Sequence, residues 1–272
     1  MVTSIGIRAH FQPIGTDDMT MKILAATAAF VTLALGQSAN ATAINLITNG
    51  NFNSTTFTNN SQFGTGYGGQ GVTGWTGGGG YQIYFFAGTA TTNSAASQYD
   101  NGYNNGAEKL WSMAASPTGG SGNFVALDGD PTVGGGGSIS QTMTGLTVGT
   151  DYTVTFDWAD GQLQSRTGAT TDKVDVTLGN QSFTTATVAD ASQGSTPWLA
   201  QSFTYEATSA TETLSFLAQG TPDGLPPMVA LDGISMVAVP EPSSVALLGG
   251  GLGLLWFIYR RRRESEETSS RN

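Results

Sequence analysis

Between residues 42 and 239 apolar positions alternate with polar ones, and no stretch keeps the helical period of about 3.6 residues. In TDYTVTFDWADG, Tyr152, Val154, Phe156 and Trp158 fall on one face, with Thr153, Thr155 and Asp157 on the other. In DKVDVTLG, Val174, Val176 and Leu178 line one side, and in TETLSFLAQG Leu214, Phe216 and Ala218 do the same. WLAQSFTYEA points Leu199, Phe203 and Tyr205 inward. Period-2 patterning of this kind predicts half-buried antiparallel strands. Turn residues separate them, as in Val148-Gly149-Thr150-Asp151, Leu178-Gly179-Asn180 and Pro222-Asp223-Gly224. Many short strands at this spacing predict an all-β domain, a jelly-roll β-sandwich. FVALDGD (124–130) and MVALDGI (228–234) share five residues, too few for a structural repeat.

Two segments break the alternation. Met21 to Ala41 places Lys22 before the apolar run Ile23–Leu35, followed by Ala39-Asn40-Ala41. That order predicts an N-terminal signal helix with cleavage after Ala41, or alternatively after Ala43. At the other end, Val245–Tyr259 is apolar and glycine-bearing, and Arg260, Arg261, Arg262 and Arg263 follow it directly. This predicts a single C-terminal transmembrane helix with its arginines on the cytoplasmic side. Fifteen apolar residues containing Gly249, Gly250, Gly251 and Gly253 make a poor permanent anchor. Pro240-Glu241-Pro242 stands just before it and forces an extended peptide, the form a protease cleft accepts.

The short motif, apolar helix and arginine cluster in Val239–Arg263 together resemble the PEP-CTERM sorting signal of Gram-negative bacteria. The resemblance implies recognition by an exosortase in the inner membrane, cleavage near Pro240-Glu241-Pro242, and passage to the cell surface or outside. It often accompanies extracellular polysaccharide. ESEETSSRN continues past the arginines, where such chains usually stop. The expected organisation is therefore 1–41 extension and signal peptide, 42–238 sandwich, 239–263 sorting signal and 264–272 polar tail.

Composition narrows the chemistry of the middle. Residues 42–239 hold fourteen acids against three bases (Lys109, Arg166 and Lys173), a net charge of −11. A surface of that sign repels phosphates, so no nucleic-acid partner is expected. The chain has no cysteine, and its one histidine is His10. Thiol chemistry, imidazole triads and the usual zinc sites are thereby excluded from the domain.

NLITNGNFNS (45–54) and VALDGISM (229–236) resemble the first and last strands of galactose-binding-like jelly rolls, a group rich in carbohydrate-binding modules. Asn49, Gly50, Phe52 and Asp232 match that group. The resemblance implies a structural calcium near the Phe and the late Asp. Here Asn53 replaces the usual glutamate, so a calcium at Asn53 and Asp232 would lack one charge.

Gly64–Gly80 holds ten glycines in seventeen residues and carries Tyr67 and Trp75; Tyr81 follows, with Tyr103 and Trp111 beyond. Aromatic faces stack on the C–H face of a pyranose, which makes these five the candidate ligand-binding residues. For each one singly, core packing is the plainer reading. No Gly-Lys-Ser/Thr follows the glycines, so this is no phosphate loop. Asp128 and Asp130 read as a strand-end turn. Asp157 and Asp160 are the pair from which glycoside hydrolysis would have to be built. The expectation is a non-enzymatic, exported glycan-binding or biofilm-associated protein with no catalytic residues. The alternative is a carboxylate-dependent glycan-acting enzyme carried by the same signal.

Overall fold

A computed structural model describes residues 44–64, 71–92, 106–117, 122–164, 166–225, 227–240 and 244–269. The chain divides into two units, Met1–Ala43 and Ile44–Asn272, and the described residues all belong to the second. Ala39, Ala41, Tyr67, Tyr103, Glu241 and Pro242 lie outside the described residues.

The described strands are β1 (Ser61–Phe63), β2 (Thr76–Gly77), β3 (Gln82–Phe85), β4 (Thr91–Thr92), β5 (Leu110–Trp111), β6 (Phe124–Asp128), β7 (Ser138–Thr144), β8 (Asp151–Gln162), β9 (Thr170–Leu178), β10 (Gln181–Thr184), β11 (Val188–Asp190), β12 (Leu199–Glu206), β13 (Thr211–Thr221) and β14 (Pro227–Ala238). A helix, α1, spans Ser244–Ser269.

Two antiparallel sheets form the sandwich. One runs β1-β3-β6-β14-β8-β12; the other runs β10-β9-β13-β7-β2, with β11 also on β9. Count β6, β7, β8, β9, β10, β12, β13 and β14 as first to eighth. The first sheet then reads first, eighth, third, sixth, and the second reads fifth, fourth, seventh, second. That interleaving is the double Greek key of a jelly roll, as the alternation predicts.

The expected inward faces pack between the sheets. Tyr152, Val154, Phe156 and Trp158 of β8 meet Val174, Val176 and Leu178 of β9 and Leu214, Phe216 and Ala218 of β13 in one buried cluster. On β12, Tyr205 is buried and Phe203 partly so, but Leu199 is 37% exposed. β12 is an edge strand, and Leu199 stands at its start, opposite Trp158 of β8, with no described strand on its other side in the sheet.

A second apolar layer covers the outer face of the first sheet. Ile83, Phe85, Phe124, Ala126, Ala159, Met228 and Ala230 pack there with Leu110 and Met113 of the segment around β5. β6 and β14 are therefore buried on both faces. This accounts for their shared Val-Ala-Leu-Asp: they are antiparallel neighbours, with Leu231 opposite Val125.

Gly50 joins the chain's first described segment to β14. Ile234 donates its N–H to the Gly50 carbonyl at 2.9 Å, and a Cβ on Gly50 would lie 1.9 Å from the Ile234 oxygen. The two segments that carry the galactose-binding-like resemblance thus meet through backbone.

In α1 the arginines stand above aromatics one turn earlier: Arg260 over Trp256 at 5.6 Å and Arg263 over Tyr259 at 5.3 Å. Among the described residues no helix is long and apolar enough to cross a membrane by itself. The apolar run covers about 22 Å at helical rise, short of a hydrocarbon core of about 30 Å. Ser244–Ser269, where the sequence predicts a transmembrane helix, is thus α-helical, with an apolar run below spanning length.

Candidate functional site

A cavity of about 270 Å³ opens at one end of the first sheet, on its outer face. Ile83 of β3, Leu163 just past β8 and Met228 of β14 line it with apolar surface. Tyr81, Arg166, Asp128 at the end of β6, and the turn Asp130, Thr132 and Val133 supply its polar rim, with Gly224 beside them.

Glycine positions this rim. Gly78 donates to the Ser138 carbonyl at 2.8 Å. A Cβ on Gly79 would lie 2.2 Å from the Gly134 oxygen, and one on Gly80 would lie 2.5 Å from Gly136. Gly79 and Gly80 are packed backbone on backbone against Gly134 and Gly136, a contact that side chains would prevent. Tyr81 emerges directly from this seam. Asp128 donates its N–H to the Tyr81 carbonyl at 2.9 Å and accepts from Gly137 N at 2.5 Å through its own carbonyl.

The turn after β6 is tied by its carboxylates. Asp128 Oδ1 accepts from Asp130 N at 2.8 Å. Asp130 Oδ1 accepts from Thr132 N at 2.8 Å and Thr132 Oγ1 at 2.5 Å, and its Oδ2 accepts from Gly224 N at 2.7 Å. These neighbours separate the two acids. Burial pushes Asp128 up to about 7, helped by the Asp130 charge and opposed by the Asp130 N–H and Arg166. Burial acts on Asp130 too, but the hydrogen bonds from Thr132 and Gly224 outweigh it and hold that carboxyl below its usual range. Arg166 has a buried Nε with no acceptor, so one directed donor faces this region unspent.

Of the three aromatic candidates among the described residues, Tyr81 lines the cavity and Trp75 and Trp111 do not. Trp75 is only 2% exposed; Phe52 at 5.6 Å and Phe216 at 6.1 Å occupy its surroundings, and its Nε1 donates to the Asn49 carbonyl. Trp111 is 4% exposed, and its Nε1 donates to the Arg166 carbonyl at 2.9 Å. Both rings are core, which removes them from sugar stacking. Trp111 instead fixes the backbone of the arginine at the site.

Asp157 and Asp160 are three apart on β8 and therefore lie on opposite faces of the first sheet, Asp160 inward and fully buried. They share no cleft, so they are not placed to flank one glycosidic bond. Asp232 is buried, with Oδ1 accepting from Gly233 N at 2.7 Å and Oδ2 from Ser116 Oγ at 2.5 Å. Asn53 Oδ1 accepts from Asn123 Nδ2 at 3.3 Å. One carboxylate with both oxygens holding donors, beside a neutral amide, is a poor fit for calcium. No group of three His, Cys, Asp or Glu able to hold a metal occurs among the described residues.

Pro240 is exposed at the end of the sandwich, and Arg260, Arg261, Arg262 and Arg263 are exposed on α1. With that placement, the comparison with known sequences becomes specific: the PEP-CTERM protein-sorting motif matches residues 238–263. The chain carries a PEP-CTERM sorting signal. Its sandwich matches a second family, described as Protein of unknown function (DUF642), over residues 115–230, which is less than half the chain. No curated protein sequence matches this PEP-CTERM chain.

Solved structures of similar shape include the CBM22-1-CBM22-2 tandem domain of Paenibacillus barcinonensis Xyn10C (13% identity, 75% of this chain and 48% of that one, TM-score 0.37). Another is TmCBM61 in complex with beta-1,4-galactotriose (10%, 72% and 100%, 0.31). A third is the enzymatically active domain of Bacteriophage CBA120 tailspike protein 4 (15%, 72% and 22%, 0.34); this chain spans about a fifth of that one. At such identities and scores, what this domain binds rests on its own residues.

Arg166 and the Asp128–Thr132 turn were not among the sequence candidates for ligand binding. A signal for Arg166 did exist: it is the one arginine between residues 42 and 239, in a domain otherwise crowded with acids.

Proposed function

We propose that this protein is an exported, non-enzymatic glycan-binding module, delivered to the cell surface or extracellular matrix through its PEP-CTERM signal. The observation that carries the binding reading is the cavity at Tyr81, Asp128 and Arg166. Its apolar floor suits the C–H face of a sugar ring, Tyr81 adds an aromatic edge, and Arg166 with the carboxyls exchanges hydrogen bonds with hydroxyls. The expected partners are an exosortase in the inner membrane during processing and an extracellular polysaccharide afterwards. The acidic domain surface suits a neutral glycan better than a polyanionic one.

One observation favours a second reading. Asp128 and Asp130 line the same cavity with their proton affinities pushed apart, as the acid and base of a glycosidase are. Against it, both oxygens of Asp130 are engaged in holding the turn. A glycan array run with a reducing-sugar assay on the full-length protein separates the two. Binding without release of reducing ends is expected; turnover abolished by Asp128→Asn would replace this reading with the enzymatic one.

A further inference from the structure

Beneath the inner face of the same end of the sandwich, the two sheets bring together acids that have no basic partner. Asp160 of β8 and Asp172 of β9 come from opposite sheets, and both are wholly buried. All four of their carboxylate oxygens lack a hydrogen-bond donor from the rest of the protein. The contact between them requires a proton on one, Asp172 donating to Asp160. Thr170 is two residues from Asp172 on the same inward face, 2% exposed, and its Oγ1 has no partner. Asp190 of β11 stands directly opposite Thr170 in the register, and its Oδ2 is likewise buried without a donor. Lys173 alternates to the other face of β9, and Arg166 acts on Asp128 instead.

The surrounding backbone is shaped to this carboxylate. A Cβ on Gly129 or on Gly220 would fall 2.4 or 2.3 Å from Asp172 Oδ1, so glycine at both positions leaves the space that the oxygen fills. Isolated buried carboxylates are costly, and a cation removes that cost. We propose that Asp160 and Asp172, with the Thr170 hydroxyl, hold a hard divalent cation of calcium type between the two sheets. The ligands are all oxygen, with no nitrogen or sulfur donor, which selects calcium or magnesium over zinc or copper. Two carboxylates are fewer than the three acidic or imidazole groups of a site made by side chains alone, and none of that kind occurs among the described residues. Backbone carbonyls and water complete the roughly six to eight oxygens that calcium takes. Binding displaces the proton shared by the pair, so cation uptake releases acid. The site joins β8 to β9 and acts as a clamp between the sheets, independent of what the outer cavity binds.

The test uses the full-length protein in detergent, stripped with a chelator and titrated with calcium chloride. The melting temperature should rise by several degrees and fall again with excess chelator. Asp160→Asn combined with Asp172→Asn keeps the shapes but removes the charges, and should abolish the rise; Asp232→Asn should retain it. If the double variant does not fold, calorimetric titration of the wild type in two buffers of different ionisation heat should show proton release on binding. A melting temperature indifferent to calcium, a titration without heat or proton release, a double variant that responds as the wild type does, or loss of the response in Asp232→Asn would overturn the proposal.

Discussion

Asp128 holds a carboxyl where burial disfavours its charge, and its pH behaviour follows from that. In the folded protein it titrates at about 7, above the value of about 3.9 expected in an unfolded chain. The folded state therefore binds the extra proton between these values. The stability this gives is complete below about pH 4, declines as pH rises towards 7, and is gone above it. Asp128→Asn should remove that share of the decline, measured as urea midpoints from pH 4 to pH 8. The tryptophans separate on different grounds. Trp75→Ala should cost about 3–5 kcal/mol as a core deletion. Trp111→Phe keeps most of the packing but frees the Arg166 carbonyl, so it should weaken ligand binding with a smaller loss of stability. The sequence could not distinguish these rings from Tyr81. Glycine-rich flanks have no period, so nothing along residues 64–80 says which aromatic faces inward. Arg166 stood out as the one arginine of the domain, but its place at a site did not, because its partner in space, Trp111, is 55 residues away.

At the scale of elements, alternation read the long strands correctly, because one face of each of them packs on the opposite sheet. Its limit was β6 and the first half of β14, which are covered on both sides. There β6 and β14 show continuous apolar runs, and only the pairing explains their common sequence. The glycine runs make the same point from the other direction. Glycine composition alone does not tell a loop from a packed contact, whereas Gly79 and Gly80 form a close backbone seam with Gly134 and Gly136. Gly80→Ala would add a Cβ at positive φ and 2.5 Å from Gly136, so it should lower both melting temperature and ligand affinity. Gly135→Ala meets only open space at φ 84°, so its cost should be about 1–2 kcal/mol of backbone strain and affinity should be unchanged. Paired thermal melts and binding isotherms check both substitutions.

For the whole molecule, a sandwich of net charge −11 is joined to a sorting signal whose apolar helix is too short to be a comfortable anchor. Replacing Pro240 and Glu241 with alanine should leave an uncut, membrane-retained form, seen as a heavier band in the membrane fraction of the native host. The order of motif, apolar helix and arginines was fully legible, because recognition by an enzyme fixes a linear order. The cavity was not, because its residues lie between 81 and 228 and meet only through the jelly-roll crossings. The direct test of the central claim is the affinity of the full-length protein for its best array glycan, compared with that of Tyr81→Ala combined with Arg166→Ala. The account predicts at least a tenfold weakening, about 1.4 kcal/mol or more, with the melting temperature nearly unchanged. Equal affinity in the two proteins would contradict it.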